Sequence, residues 1–220
     1  MNKTKGGLAA FVRQRPEIWI SVAYFVVYLI SFFTLERVTE PRFIIHCRLD
    51  DLIPFCEWGI VPYVCWYLLV PGMLLFYLCR DKADYLRLCF IMYVGMTICL
   101  ALYYLLPTGL ELRHPIPRDN LLCLAVALLR RIDTPTNVCP SIHVSSTVGI
   151  AIVALRSRLF AGRRMVRASL LVFCLLVCVG TLVIQQHSVW DVLAGAALSL
   201  ALMIPAYRIW PQHKQKSAPA

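Results

Sequence analysis

The sequence is poor in charge. Asp, Glu, Lys and Arg make up 15% of its 220 residues, where a soluble domain carries about a quarter. With 60% hydrophobic residues and a mean hydropathy of +0.69, that shortfall excludes a disordered chain, a secreted disulfide mini-protein and an ordinary cytosolic enzyme. The apolar excess belongs in lipid. Ten cysteines are present, but no CxxC and no Cys/His ligand spacing, which tells against a zinc site. Cys65, Cys79, Cys89, Cys99, Cys174 and Cys178 fall in or at the ends of apolar runs, where they serve as small hydrophobes. There is no internal repeat and no low-complexity segment. The lack of a repeated half with paired broken helices tells against a secondary transporter. No basic patch alternates with aromatics, so the net charge of +10 does not point to nucleic acid.

What the sequence has is long apolar runs. A bilayer-spanning helix needs about 20 such residues, and runs of this kind cover 18–35, 59–79, 85–106, 144–160, 165–184 and 189–210. The fourth is short and is interrupted by Arg156 and Arg158, which can snorkel to an interface. Residues 120–129 are apolar but too few to cross, and read as an interfacial or re-entrant helix. The expected fold is all-α: an integral membrane bundle of about six transmembrane helices with one short re-entrant or interfacial helix. It divides into an N-terminal segment 1–17, a membrane domain 18–210 and a polar tail 211–220. The basic start (Lys3, Lys5, Arg13, Arg15) leads into a full-length run with no small-residue cleavage site, unlike a signal peptide.

An even number of spans puts both termini on one side. The loops and flanks of that side hold fifteen of the 22 Lys and Arg, so the positive-inside rule makes both termini cytoplasmic. The basic charge then reflects topology and anionic lipid. The compact chain suits a bacterial inner membrane. Two long loops, 36–58 and 107–143, face outward. Cys47 and Cys56 in the first either pair, if the outside is oxidising, or stay free.

The polar residues at the ends of the later runs carry the chemistry. Pro140-Ser141-Ile142-His143 opens the fourth run and His187-Ser188-Val189-Trp190-Asp191 opens the sixth. One helix inward and one outward separate His143 from His187, so both sit at the same outer surface. The four-residue spacing of His187 and Asp191 predicts one helix face, where a carboxylate orients an imidazole and raises its basicity. Asp191 is the one acidic residue in the last three runs. An intramembrane carboxylate is usually functional; the alternative is a helix-end anchor. Ser141 and His143 begin a helix, whose free N–H groups and dipole suit phosphate; Ser141 also fits a simple N-cap. Trp58, Trp66, Tyr103 and Tyr104 read as belt residues or headgroup contacts.

These residues resemble the type 2 phosphatidic acid phosphatase superfamily, which has six membrane helices and three motifs. The second motif, Pro-Ser-Gly-His, is matched by Pro140-Ser141-Ile142-His143. The third, Ser-Arg-x5-His-x3-Asp, is matched by Gly180-Thr181, five residues, His187, three residues and Asp191. Of the first, Lys-x6-Arg-Pro, only Arg113-His114-Pro115 remains: Leu106 stands at the lysine position and His114 splits the Arg-Pro pair. Thr181 replaces the arginine of the third motif. Ile142 is similar to the bulky residue of the inositol-phosphotransferase-like branch, where Pro-Ser-Leu-His is common. Some bacterial members of that branch have Lys-Gln-His before the final motif; here it is Gln185-Gln186-His187.

The resemblance implies phosphoryl transfer without metal or cofactor, on a lipid phosphate at the outer leaflet. It assigns His187 as nucleophile, Asp191 as its orienting partner and His143 as acid then base. Arg113, Ser141, the Ile142 backbone and Gln185 are expected to hold the phosphate. Arg130 and Arg131 are expected to anchor at the interface. Water as acceptor makes a phosphatase, a hydroxyl makes a transferase, and the missing motif cations leave a degenerate lipid-binding protein as the third reading. Partners are the lipid substrate and membrane lipids, not nucleic acid.

Overall fold

A backbone among apolar side chains must satisfy its own N–H and C=O groups, and a helix does so within one segment. The structure, a computed structural model describing residues 15–212, is accordingly all-α, 73% helical with 3% strand. In chain order its helices are α1 (Glu17–Val38), α2 (Ile60–Arg80), α3 (Lys82–Leu105), α4 (Leu121–Ile132), α5 (Ile142–Arg156), α6 (Arg164–Val183) and α7 (Val189–Ile209). Five of them, α1, α2, α3, α6 and α7, are long and apolar enough to cross a membrane. The expected segments 1–17 and 211–220 fall mostly outside the described residues.

The fourth apolar run departs from its expected bounds. It is helical only to Arg156; Ser157 then caps a 3-10 turn, Arg158–Phe160. At 15 residues the helix rises about 22 Å, short of the roughly 30 Å hydrocarbon core. Shortness is tolerated because α5 is enclosed by protein, packing on α3, α6 and α7. The 120–129 stretch forms α4, capped by Asn120, whose side chain accepts from Cys123 N at 2.9 Å.

Burial sorts the layers. In its most apolar stretch α3 is 44% buried and α1 only 6%, so α3 lies inside the bundle and α1 outside. Trp19, Ile20, Val27 and Ile30 of α1 are each more than 60% exposed. Such a helix, apolar on every face, has the length and composition of a membrane span. Helix α1 packs chiefly on α3 and leaves a cleft between itself and α2.

Small residues draw α5 and α7 together. A Cβ on Gly195 would stand 2.5 Å from Ser141 O, and Ser145 and Ser199 bond through their hydroxyls at 2.9 Å. The loops gather at two ends. At one, Arg15 donates to Leu78 O, Arg87 Nε to Trp210 O, and Asp84 and Arg87 form a buried ion pair. At the other, the strands β1 (Phe43–Ile44) and β2 (Thr108–Gly109) pair in parallel, and Cys56 N donates to Val183 O at 2.9 Å. Cys47 and Cys56 are both free thiols.

Candidate functional site

His143 and His187 meet at this second, loop-covered end, their ring centroids 5.8 Å apart. Parity of the crossings explains the meeting: α5 leaves that end and α6 returns to it. Each histidine is placed by a capped helix start. Ser141 caps α5, its Oγ accepting from Val144 N at 3.3 Å. Ser188 caps α7 in a capping box with Asp191.

That box corrects the expected helix face of His187 and Asp191, although the two still meet. His187 lies outside α7, one residue before its cap, so the two do not share a helix face. Asp191 instead turns back: its Oδ2 accepts from Ser188 N at 2.8 Å and stands 3.4 Å from His187 Nδ1. The carboxylate is fully buried, and its Oδ1 has no partner. A bond of that length is loose.

The backbone before His187 makes a tight turn. Gln185 has φ 60°, and Thr181 O accepts from both Gln186 N and His187 N. Thr181, where the family motif has arginine, is therefore a buried part of the turn and supplies no cation. The turn also decides which glutamine reaches the site. Gln185 points outward, its Oε1 accepting from His114 N and Arg130 Nη2. Gln186 lines the same cavity as His143, with Nε2 buried and unpartnered.

Arg113 stands behind Gln186. Its guanidinium donates to Arg130 O, Asp133 O, Thr134 O and Gln186 Oε1, leaving only a buried Nε. It reaches the site through Gln186, not directly. Burial lowers the pKa of its guanidinium. Arg130 braces the turn from outside, donating to Ile184 O and His114 O, whereas Arg131 is exposed.

The two helix starts differ in what they can still bind. At α7, Val189 N goes to Asp50 Oδ1 and Ser188 Oγ donates to Asp50 Oδ2, so carboxylates already occupy that end. At α5, the N–H groups of Ile142 and His143 make no hydrogen bond among the described residues. This end is open to an anion. The Ile142 side chain packs with Tyr28, Met96 and Tyr103 and leaves its N–H clear.

Two aromatics fix His143: the Tyr63 and Trp66 ring centroids lie 4.4 and 4.2 Å from its own. Each is held in turn, Tyr63 OH donating to Asp133 Oδ2 at 2.6 Å and Trp66 Nε1 to Ser146 Oγ at 2.9 Å. His143 Nε2 is buried without a partner. Cys139 is no competing nucleophile, since burial, and then Asp191, push its thiol up to about 12.

Both histidines line a cavity of about 350 Å³ of the kind that binds small molecules. Its body is apolar, with Phe25, Phe32, Val70 and Met96, and it lies in the cleft between α1 and α2. Rim residues Leu29, Phe33 and Tyr67 are exposed. Its polar end holds Glu36, Asp133, Asn137 and Gln186 beside the histidines. Asp50, Tyr63, Asn137 and Gln186 were not singled out from sequence. Each acts across a long separation or from a loop, with no local pattern to mark it. Among the described residues no three His, Cys, Asp or Glu side chains group as a metal site. Comparison with protein-family models, with curated proteins and with solved structures finds no match to this chain.

Proposed function

We propose that this chain is a multi-pass membrane enzyme of the type 2 phosphatidic acid phosphatase kind, transferring the phosphoryl group of a lipid phosphate through a phosphohistidine. The observation that carries the reading is the His143–His187 pair, 5.8 Å apart at the polar end of an apolar cleft. A lipid fits such a site: chains in the cleft, phosphate at the histidines. Asp191 beside His187 Nδ1 directs the Nε2 lone pair into the site.

In the first step His187 Nε2 attacks phosphorus and a P–N bond forms. The P–O bond to the lipid breaks, and His143, which takes a proton from the phosphate monoester as it binds, gives that proton to the leaving oxygen. In the second step His143 takes a proton from water, whose oxygen attacks phosphorus. The P–N bond breaks, inorganic phosphate leaves and His187 is restored. The open N–H groups of Ile142 and His143 and the unpaired Gln186 Nε2 offer donors for the phosphoryl oxygens. Ser141 shapes that helix start as its cap, Arg113 positions Gln186, and Gln185 holds the turn before His187. By the positive-inside rule the site faces the extracytoplasmic side and both termini the cytoplasm.

The test is phosphate release by the purified protein in detergent, from a panel of lipid phosphates with EDTA present. His187→Ala is expected to abolish it and to abolish acid-labile phosphate on the protein. Release that persists in His187→Ala refutes the assignment. No release by the wild type, with or without a hydroxyl acceptor, refutes catalysis and leaves a lipid-binding protein.

A further inference from the structure

Asn137 lies in the loop between α4 and α5, on the cavity wall shared with His143. It is 4% exposed, and neither Oδ1 nor Nδ2 has a hydrogen-bond partner. Its φ of 56° is in the left-handed region, which asparagine and glycine tolerate best. Backbone conformation thus explains asparagine over most residues. It does not explain an amide buried with both ends unpaired, an arrangement that costs stability unless a partner meets it.

Two carboxylates share that wall. Glu36 Oε1 accepts from Thr134 N and Oγ1, and Asp133 Oδ2 from Tyr63 OH. The second oxygen of each makes no hydrogen bond among the described residues. Beside the histidines there is thus a cluster with several free acceptors and at least one free amide donor.

We infer that Asn137, with Glu36 and Asp133, forms a subsite for a neutral hydroxyl-bearing group next to the reacting phosphate. Complementarity selects this chemistry. Two carboxylates repel a second phosphate. A cationic amine suits the carboxylates but leaves Asn137 Nδ2 with nothing to donate to. A hydroxyl donates and accepts, so a group with one or two of them satisfies both ends of the amide and a carboxylate together. The hydroxyl belongs either to a polyol headgroup on the lipid or to a free alcohol that accepts the phosphoryl group in place of water. The placement of the phosphate rests on the proposed function; the hydrogen-bonding match at Asn137 does not.

The test is equilibrium binding to the full-length protein in detergent, with phosphatidylglycerol, phosphatidic acid and phosphatidylethanolamine of identical chains as probes. Asn137→Gly removes the amide and keeps the left-handed backbone unstrained. The affinity ratio of phosphatidylglycerol to phosphatidic acid is expected to fall about 10-fold, the worth of one or two hydrogen bonds. Asp133→Asn, nearly the same in shape, is expected to lower the same ratio and serves if the glycine variant does not fold.

Equal weakening for all three lipids would mean a structural role and overturn the inference. So would a wild type that neither prefers phosphatidylglycerol nor passes phosphate to glycerol, or a loss confined to phosphatidylethanolamine, which would mark a cation site. A second arm offers free glycerol with phosphatidic acid as donor. Glycerol phosphate formed by the wild type and diminished in Asn137→Gly assigns the subsite to a free acceptor; its absence, with the binding preference intact, assigns it to the headgroup. If no phosphate is released at all, the catalytic proposal fails and the binding ratio alone decides the subsite.

Discussion

Gly195→Ala tests whether the α5–α7 approach sets the site. The new Cβ would lie 2.5 Å from Ser141 O, 3.2 Å from Ser145 N and 3.3 Å from Val144 Cβ. Two of these are backbone atoms and cannot rotate away. Ordinary contact begins near 3.4 Å, so α7 must retreat from α5 by roughly 1 Å, a misplacement that costs about 10²-fold in rate. It would move Asp191 and His187 away from Ser141 and His143, across the very contact where Ser141 N donates to Asp191 O at 3.1 Å. Overpacking also lowers stability by about 1–3 kcal/mol. The assay is the initial rate of phosphate release from a lipid phosphate, paired with thermal unfolding in the same detergent. The expected result is a kcat about 10²-fold down with KM little changed, because the apolar cleft is lined mainly by α1, α2 and α3. Gly149→Ala is the control. Its Cβ meets the Ile91 Cγ2 methyl at 3.0 Å, so the neighbour must give by only a few tenths of an ångström and the start of α5 is untouched; wild-type rates are expected. A wild-type rate in Gly195→Ala, or an equal loss in Gly149→Ala, would refute the reasoning.

Three further outcomes follow from the contacts around the site and at the far end. Burial raises the Asp50 carboxyl, but hydrogen bonds from Val189 N, Ser188 Oγ and Cys47 N outweigh it and hold the group below its ordinary value of 3.8. A lowered carboxyl contributes stability above its unfolded value that is lost as pH falls through the folded one. Thermal stability is therefore expected to decline below about pH 4, less steeply in Asp50→Asn; parallel curves would contradict this. Arg130→Ala removes the donor to Ile184 O and leaves Gln185 Oε1 with His114 N alone. Turnover is expected to fall about 10-fold through a looser turn before His187, without rescue by lysine, which lacks the planar fork; rescue by Arg130→Lys would show that charge alone matters. Asp84→Ala strands Arg87 in a buried site at the opposite end. Thermal or denaturant unfolding is expected to show a loss of about 3–5 kcal/mol while the proposed phosphate release by the folded protein stays at the wild-type rate.

Much of the scaffold is legible in the sequence because it follows from local rules. Run length and hydropathy locate the five long helices. Ser141 reads as a cap because a serine hydroxyl before an apolar run meets orphan N–H groups, and Ser188 obeys the same rule. Parity of crossings brings His143 and His187 to one end without any knowledge of packing. The fourth run shows the limit: composition extends it to 160, but Ser157 ends the helix at Arg156, and only enclosure by α3, α6 and α7 makes so short a helix tenable.

The tertiary structure alone decided the chemistry of the walls. The left-handed turn at Gln185 sends one glutamine outward and the next inward, a choice that two identical neighbours cannot reveal. It also places His187 before α7, so Asp191 meets it through a capping box instead of a helix face. Asp50 fills the start of α7 from a loop 138 residues earlier in the chain, and that leaves the start of α5 as the open one. Arg113 looked like a free cation, yet backbone carbonyls take most of its donors. The cleft between α1 and α2 exists because α1 leans on α3, and Asn137 matters because nothing across that cleft pairs with it. Local hydrogen bonding and hydropathy are written along the chain. Which donors remain unpaired depends on every neighbour in space, and the fold alone brings those neighbours together.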